Sequence, residues 1–291
     1  MLNPFLKTEW LQEGRNIRFP LMIIFYNAIL AFVMILFMVL NEESFQKGYY
    51  YNNSNYVYEF LIISSIHFIA VFLMMPFSVS RLFLADKENN MLDQFMMIPG
   101  ISKQYVQAKI MLVLSLHGVI FISGLPILTL GCIYTGVSWT IVIRLAIMVL
   151  IYSFWAGSIA IFFFSIASKI IWGFVGTLFG QMIFGIGTII AAGMLCNGSM
   201  IMNGGGEVSS SVSNLCLLLL LMNPLASYMG YFGKITGDTG MVSAFCNYMG
   251  IDASQKIFSF LFYKAAILTN ILVGVAFLVL SVWYMEKRRR N

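Results

Sequence analysis

Charged side chains are scarce in this sequence. Asp, Glu, Lys and Arg make up 10% of its 291 residues, whereas hydrophobic residues make up 60%. Soluble globular domains carry about 25% charged residues. A chain of this length cannot hide so large an apolar fraction from water in a single core. The composition therefore excludes a soluble enzyme and indicates a membrane protein.

Two kinds of chemistry are missing as well. The sequence has no Gly-x-x-x-x-Gly-Lys-Ser/Thr motif, so we do not expect the chain to bind and hydrolyse ATP itself. It has two histidines and no cluster of residues at metal-ligand spacing, so we expect no metal site. No acidic residue lies within a long apolar run. This disfavours an ion-coupled secondary transporter, which usually needs a carboxylate inside its spans.

Long apolar runs are what the sequence has instead. A helix needs about 20 apolar residues to cross a bilayer. Six runs qualify, approximately 21–40, 60–79, 105–133, 141–167, 170–195 and 258–284. They predict an all-α protein with six transmembrane helices. A shorter Leu-rich run, 215–222, ends at Asn223-Pro224; we interpret it as re-entrant, and the alternative is a seventh span that continues to residue 232.

The distribution of basic residues predicts the orientation. With six spans and both termini in the cytoplasm, 12 of the 17 Lys and Arg residues lie inside, including the cluster 287–290. Such a bias is typical of multi-pass proteins of the cytoplasmic membrane. The net charge of +5 then reflects topology and contact with anionic membrane lipid, and we expect no nucleic acid partner. Residues 196–257 would lie outside the cell.

The first 19 residues combine apolar and charged side chains. Phe5, Leu6, Trp10 and Ile17 fall within one helical stripe, and charged residues largely fill the rest. This pattern predicts a short amphipathic helix at the cytoplasmic interface. The alternative is a solvated start to the first span.

The segment between the second and third spans has a distinctive layout. A charged helix end runs to Asn89-Asn90, a short amphipathic turn covers 91–98, and Pro99-Gly100 ends it. A short helix lying parallel to the membrane between two spans can transmit force from a soluble partner. The simpler interpretation is a connecting loop with one helical turn.

This combination resembles the permease subunits of ABC-2-type ATP-binding-cassette transporters. The resemblance rests on the six spans, the surface helix before them, and the run Asp86-Lys87-Glu88-Asn89-Asn90-Met91-Leu92-Asp93 followed by Pro99 and Ser102. The run departs from the family pattern at Asn90, where glycine is usual, and at Met91, where threonine is usual. The resemblance implies that residues 86–98 form the coupling helix, which docks in a groove of the ATPase subunit. The implied contacts are Asp86, Lys87, Glu88, Asn90, Met91, Leu92, Asp93, Gln94 and Phe95.

The resemblance also implies partners and a cargo. The complex would contain two ATP-binding subunits, which bind ATP and Mg, and a second permease copy or paralogue, with spans one, two and five facing the pathway. The cargo would be amphipathic or hydrophobic, and our first choice is a peptide of the phenol-soluble-modulin or bacteriocin kind. The alternatives are a drug or lipid exporter, an ion-coupled transporter, and a membrane scaffold or sensor that does not transport.

Several further residues are candidates for the pathway or for helix packing. His67 and His117 lie inside the second and third spans, at depths that differ by roughly 10 Å, so we do not expect them to share a ligand. Gly176 and Gly180 form a Gly-x-x-x-Gly motif on the fifth span, within a glycine series that permits a backbone bend. A disulfide between two of Cys196, Cys216 and Cys246 is possible, and buried thiols are the alternative.

Overall fold

The computed structural model describes residues 4–14, 16–46, 53–88, 98, 100–135, 137–203, 208–236 and 256–290. Every regular element within these ranges is helical. The chain divides into two compact units, one formed by Met1–Phe174 with Phe277–Asn291 and the other by Val175–Ala276. Residues 89–97, which contain most of the predicted coupling helix, lie outside the described ranges.

The helices follow one another along the chain in the described ranges. We number them α1 (Pro4–Gly14), α2 (Arg18–Gln46), α3 (Asn53–Glu88), α4 (Ile101–Thr135), α5 (Trp139–Ile166), α6 (Ile170–Met182), α7 (Thr188–Met202), α8 (Ser210–Leu221), α9 (Pro224–Thr236) and α10 (Lys256–Arg290). A π-helical turn, Ile183–Gly187, joins α6 to α7 without a break in the helix.

Six helical segments in the described part of the chain are long and apolar enough to cross a membrane. They are Arg18–Val39, Ile62–Leu84, Ile101–Ile133, Trp139–Ile166, Ile170–Met202 and Phe262–Arg288. The prediction of an all-helical chain with six helices able to cross a membrane is thus confirmed, and the count rises to seven if α8 and α9 together form one span. The fifth span continues past residue 195, because the polar stretch that follows stays helical up to Met202.

The first unit is organised around α5. This helix packs against α3 and α4, and its small residues Ser153, Ala156 and Ala160 are fully buried. A Cβ atom at Gly157 would come within 3.0 Å of Val113 Cγ1 on α4. The small side chains therefore allow the two helix backbones to approach closely, as in other membrane helix pairs.

The predicted N-terminal helix is present but shorter than expected. It ends at Gly14 rather than near residue 19, and Ile17 is 75% exposed in the connection to α2. Glu13 is buried against the first unit while Trp10 and Leu11 are exposed. The two glutamates of α1 thus turn toward the protein, and Trp10 and Leu11 share the exposed surface of the helix with Lys7 and Gln12.

The connection into α4 ends on a glycine with left-handed backbone. Gly100 has a φ angle of +77°, a conformation that costs little only without a Cβ atom. Ile101 begins α4 directly after it. Pro99 and residues 89–97 lie outside the described residues, so the end of the preceding segment at Pro99-Gly100 stays a prediction.

The second unit contains the Leu-rich run and its break. α8 and α9 meet at 85° across Met222 and Asn223, which fits either a broken span or a re-entrant loop, so both interpretations stay open. Cys196 and Cys216 are both fully buried, with sulfur atoms 3.2 Å apart, and the structure holds them as free thiols. Cys246 lies outside the described residues.

Candidate functional site: a buried ion-pair cluster

Charged residues from three helices meet at the end of the first unit where the predicted coupling segment is attached. We call Glu9, Glu13, Arg81, Asp86 and Lys109 the ion-pair cluster. Glu9 and Glu13 are one turn apart on α1, Arg81 and Asp86 lie near the end of α3, and Lys109 lies near the start of α4. Residues four apart share a helix face. The two glutamates can therefore face α3 and α4 together.

Lys109 is the centre of this cluster. Its side chain is fully buried, and its Nζ lies 2.7 Å from Glu9 Oε1 and 2.6 Å from Asp86 Oδ2. It also donates a hydrogen bond of 2.6 Å to the carbonyl oxygen of Leu82. A lysine ammonium has three donors, and all three are used. The buried cation is thus fully compensated, and it joins α1, α3 and α4.

Aromatic rings complete the surroundings of Lys109. Its Nζ lies 4.9 Å from the ring centre of Tyr105 and 5.3 Å from that of Phe83. The Tyr105 hydroxyl donates a 2.6 Å hydrogen bond to Asp86 Oδ2, the oxygen that also contacts Lys109. Asp86 therefore accepts from two groups of α4, which fixes the end of α3 against the start of α4.

The second pair in the cluster is looser. Arg81 Nη2 lies 3.4 Å from Glu13 Oε2, and neither atom has a hydrogen bond of good geometry. Arg81 Nε and Nη1 also lack hydrogen-bond partners, although the side chain is only 10% exposed. A guanidinium offers five donors in a planar fork. Arg81 thus keeps unused donor capacity in a buried position.

A lysine outside the cluster ties in a further helix. Lys87 Nζ donates to the carbonyl oxygen of Ala167, the residue that follows α5. Partial burial is the main reason that the pKa of Lys87 is lowered, and the charge of Arg288 adds to the effect. Lysines commonly cap helix C-termini in this way. The last turns of α3 are therefore bonded to α1, α4 and the end of α5.

Glu9 gives the cluster a pH dependence. Burial raises the pKa of Glu9 above its usual 4.5, although the charge of Lys109 acts against this shift. A carboxyl group with a raised pKa in the folded state favours folding at low pH, and this contribution is lost as the pH rises through the folded pKa. We expect the melting temperature of the wild type, relative to a Glu9→Gln variant that cannot titrate, to increase between about pH 7 and about pH 4.5.

The control for this prediction is the matched variant at an exposed position. Lys103→Gln should show the same pH dependence as the wild type, because Lys103 is exposed and is not a member of the ion-pair cluster. A difference between wild type and Glu9→Gln that stays flat or falls on acidification would contradict the burial of Glu9.

The structure describes only part of the predicted ATPase contact. Asp86 is buried in the ion-pair cluster and Lys87 is half-buried, so these two side chains make bonds within the chain. Glu88 ends α3, and its side chain lies outside the described set. The remaining predicted contacts, Asn90, Met91, Leu92, Asp93, Gln94 and Phe95, lie outside it too. Ser102 sits in the first turn of α4, one residue inside the helix.

The two histidines are both almost fully buried, and they line one small cavity between α2, α3, α4 and α5. His67 contacts the rings of Tyr26 and Phe121 edge to face, and His117 Nδ1 lies 3.0 Å from the carbonyl oxygen of Val113. These contacts place each histidine in helix packing, and the expectation that they share no ligand stays a prediction. Among the described residues, no three His, Cys, Asp or Glu side chains form a metal-binding group.

The Gly-x-x-x-Gly motif lies on α6 in the second unit. Gly180 is buried and Gly176 is half-buried. Thr177 and Gln181, on the same face as Gly180, are also buried. The motif therefore belongs to a packed helix face, and the π-helical turn begins three residues later.

One feature of the sequence pointed to the ion-pair cluster, although the spacing of residues along the chain could not identify the ion-pair partners. Lys109 lies inside the third apolar run, where a cation needs a partner. Its partner Glu9 is 100 residues away and on a different helix, and no periodicity relates the two. Glu9 and Glu13, one turn apart on the N-terminal segment, are the acidic residues that pair with the cations of α3 and α4.

Known proteins give no further information about this chain. No family model, no curated protein and no solved structure matches it.

Proposed function

We propose that this chain is the permease subunit of an ATP-driven ABC-2-type exporter. The observation that supports the proposal best is the ion-pair cluster. It joins α3 and α4, the two helices that flank the predicted coupling segment, and it joins both to the N-terminal helix. An ATPase that moves this segment would therefore move α1, α3 and α4 together, because the ion-pair cluster joins them.

The coupling step follows from that geometry. Asp86 and Lys87 anchor the segment through Lys109 and the end of α5, which leaves Glu88 and residues 90–95 to meet the ATPase. ATP-driven closure of two ATPase subunits would pull on 86–98, and spans one, two and five would shift to open outward. ATP and Mg would be bound by the partner. Both termini would be cytoplasmic, and a second permease subunit would complete the pathway.

The apolar character of the spans favours an amphipathic or hydrophobic cargo. No Asp or Glu lies in the six runs predicted from the sequence. Sugars and ions need polar groups along their path, whereas amphipathic peptides and lipids do not. An amphipathic peptide is therefore the proposed cargo.

Replacing two acidic residues of the coupling segment tests the proposal. In a Glu88→Ala, Asp93→Ala double variant, co-reconstituted with the ATPase, we expect cargo-stimulated ATP turnover to fall by about tenfold, within the usual range of coupling free energies. The matched control is Asp252→Ala, an acidic residue on the opposite side of the membrane in this topology. Normal ATPase association and normal stimulated turnover in the double variant would refute the assigned role.

A further inference from the structure

A long apolar groove lies between the first two spans. It has a volume of about 820 Å³, and its described lining residues belong to α2 and α3. Its walls are Leu21, Met22, Phe25, Tyr26, Ile29, Ile66, Ile69, Ala70, Leu73, Met74 and Phe77. The apolar walls span about 12 Å of α2 and about 16 Å of α3, close to the hydrocarbon thickness of one leaflet, which is about 15 Å. The groove therefore matches the length of acyl chains in a single leaflet.

One end of the groove is cationic. Arg18, Ser80 and Arg81 line that end, which is the end where α1 lies. Arg81 is nine-tenths buried and has three guanidinium nitrogens without hydrogen bonds. Arg18 lies close enough for its charge to repel that of Arg81. The Glu13 carboxylate pairs with Arg81 only loosely, with 3.4 Å between Glu13 Oε2 and Arg81 Nη2. Two neighbouring arginines with unused hydrogen-bond donors at the end of an apolar groove favour the binding of an anionic group.

We propose that this groove binds one anionic phospholipid from the leaflet on the α1 side. Its acyl chains would lie along α2 and α3, and its phosphate would accept hydrogen bonds from Arg81 and Arg18. Guanidinium groups bind phosphate in a bidentate manner, which would use the free nitrogens of Arg81. A second copy of this chain could cover the apolar walls, but it would leave Arg18 and the unused hydrogen-bond donors of Arg81 without an anionic partner. The site does not depend on the proposed ATPase partner.

Native mass spectrometry of the full chain tests the site. The chain is purified in detergent and equilibrated with equal amounts of phosphatidylglycerol and phosphatidylcholine of the same acyl chains. We expect the wild type to retain phosphatidylglycerol, and an Arg18→Gln, Arg81→Gln variant to lose this preference by about 30-fold, as the removal of two headgroup cations implies. The control, Lys103→Gln with Lys169→Gln, removes the same charge from two exposed positions outside the groove and should keep the preference.

Further variants and ligands distinguish a bound phospholipid from free phosphate and from a second copy of the chain. Ala70→Trp, which fills the groove without changing charge, should reduce retention of both lipids, and Arg18→Gln alone should lower the preference if the double variant fails to fold. Millimolar inorganic phosphate should not displace the lipid. Equal retention of the two lipids by the wild type would overturn the proposal. So would loss of preference in the lysine control, displacement by phosphate alone, or a groove variant that changes only the oligomeric state.

Discussion

Replacing Lys109 by methionine should lower the free energy of unfolding by about 3–5 kcal/mol, the usual effect of removing one partner from a buried ion pair. Methionine keeps much of the side-chain volume but removes the ammonium that compensates Glu9 and Asp86. Both carboxylates would then be buried without their cation, and the carbonyl oxygen of Leu82 would lose its donor. Denaturant titration in mild detergent measures the change.

Two further variants separate the ion pair from general packing. Lys103→Met, at an exposed position on the same helix, should change stability by less than about 0.5 kcal/mol. A triple variant, Lys109→Met with Glu9→Gln and Asp86→Asn, should recover much of the loss, because no uncompensated charge remains. If Lys109→Met and Lys103→Met behave alike, Lys109 is not a buried cation between two carboxylates.

Asn223→Ala should destabilise the second unit by about 2–4 kcal/mol, the sum of a lost helix cap and unsatisfied buried groups. Asn223 is fully buried, and its Nδ2 donates to the carbonyl oxygen of Gly185 and, over 2.6 Å, to Thr188 Oγ1. Its Oδ1 accepts from the backbone N–H of Ala226, which caps α9. Gly185 belongs to the π-helical turn, where the regular helical hydrogen bonds are interrupted.

The same residue type at an exposed position is the control. Asn214→Ala on α8 should change stability by less than about 0.5 kcal/mol. Amide hydrogen exchange should accelerate around the π-helical turn and α9 in Asn223→Ala and remain unchanged in Asn214→Ala. Equal effects of the two substitutions would show that Asn223 does not join the π-helical turn to the start of α9.

Apolar length predicted the six spans because a bilayer leaves few alternatives to a long helix. Helix ends were harder to place, as α1 and the fifth span show. The polar residues after 195 stay helical up to Met202, and the residues after Gly14 do not continue α1 to residue 19. The glycine series between Gly173 and Gly193 permits a bend, and the π-helical turn at Ile183–Gly187 falls inside it without breaking the helix.

Contacts between distant segments could not be predicted from one sequence. The spacing of Glu9 and Glu13 predicted that they share one helix face. It could not predict that this face contacts Arg81 of α3 and Lys109 of α4. The bonds of Asn223 likewise depend on how α9 packs against the π-helical turn. Only the packed helices bring together residues that are 35 to 100 positions apart.

The most direct test of the proposed function is to purify the tagged chain from its own membrane in gentle detergent and identify what copurifies. The proposal predicts a stoichiometric ATP-binding-cassette ATPase, which is lost when Met91 and Phe95 are replaced by aspartate and retained when Asp252 is replaced by alanine. A chain that purifies without an ATPase under several conditions, or one that keeps it after the Met91 and Phe95 changes, would contradict the assignment of a permease coupled through residues 86–98.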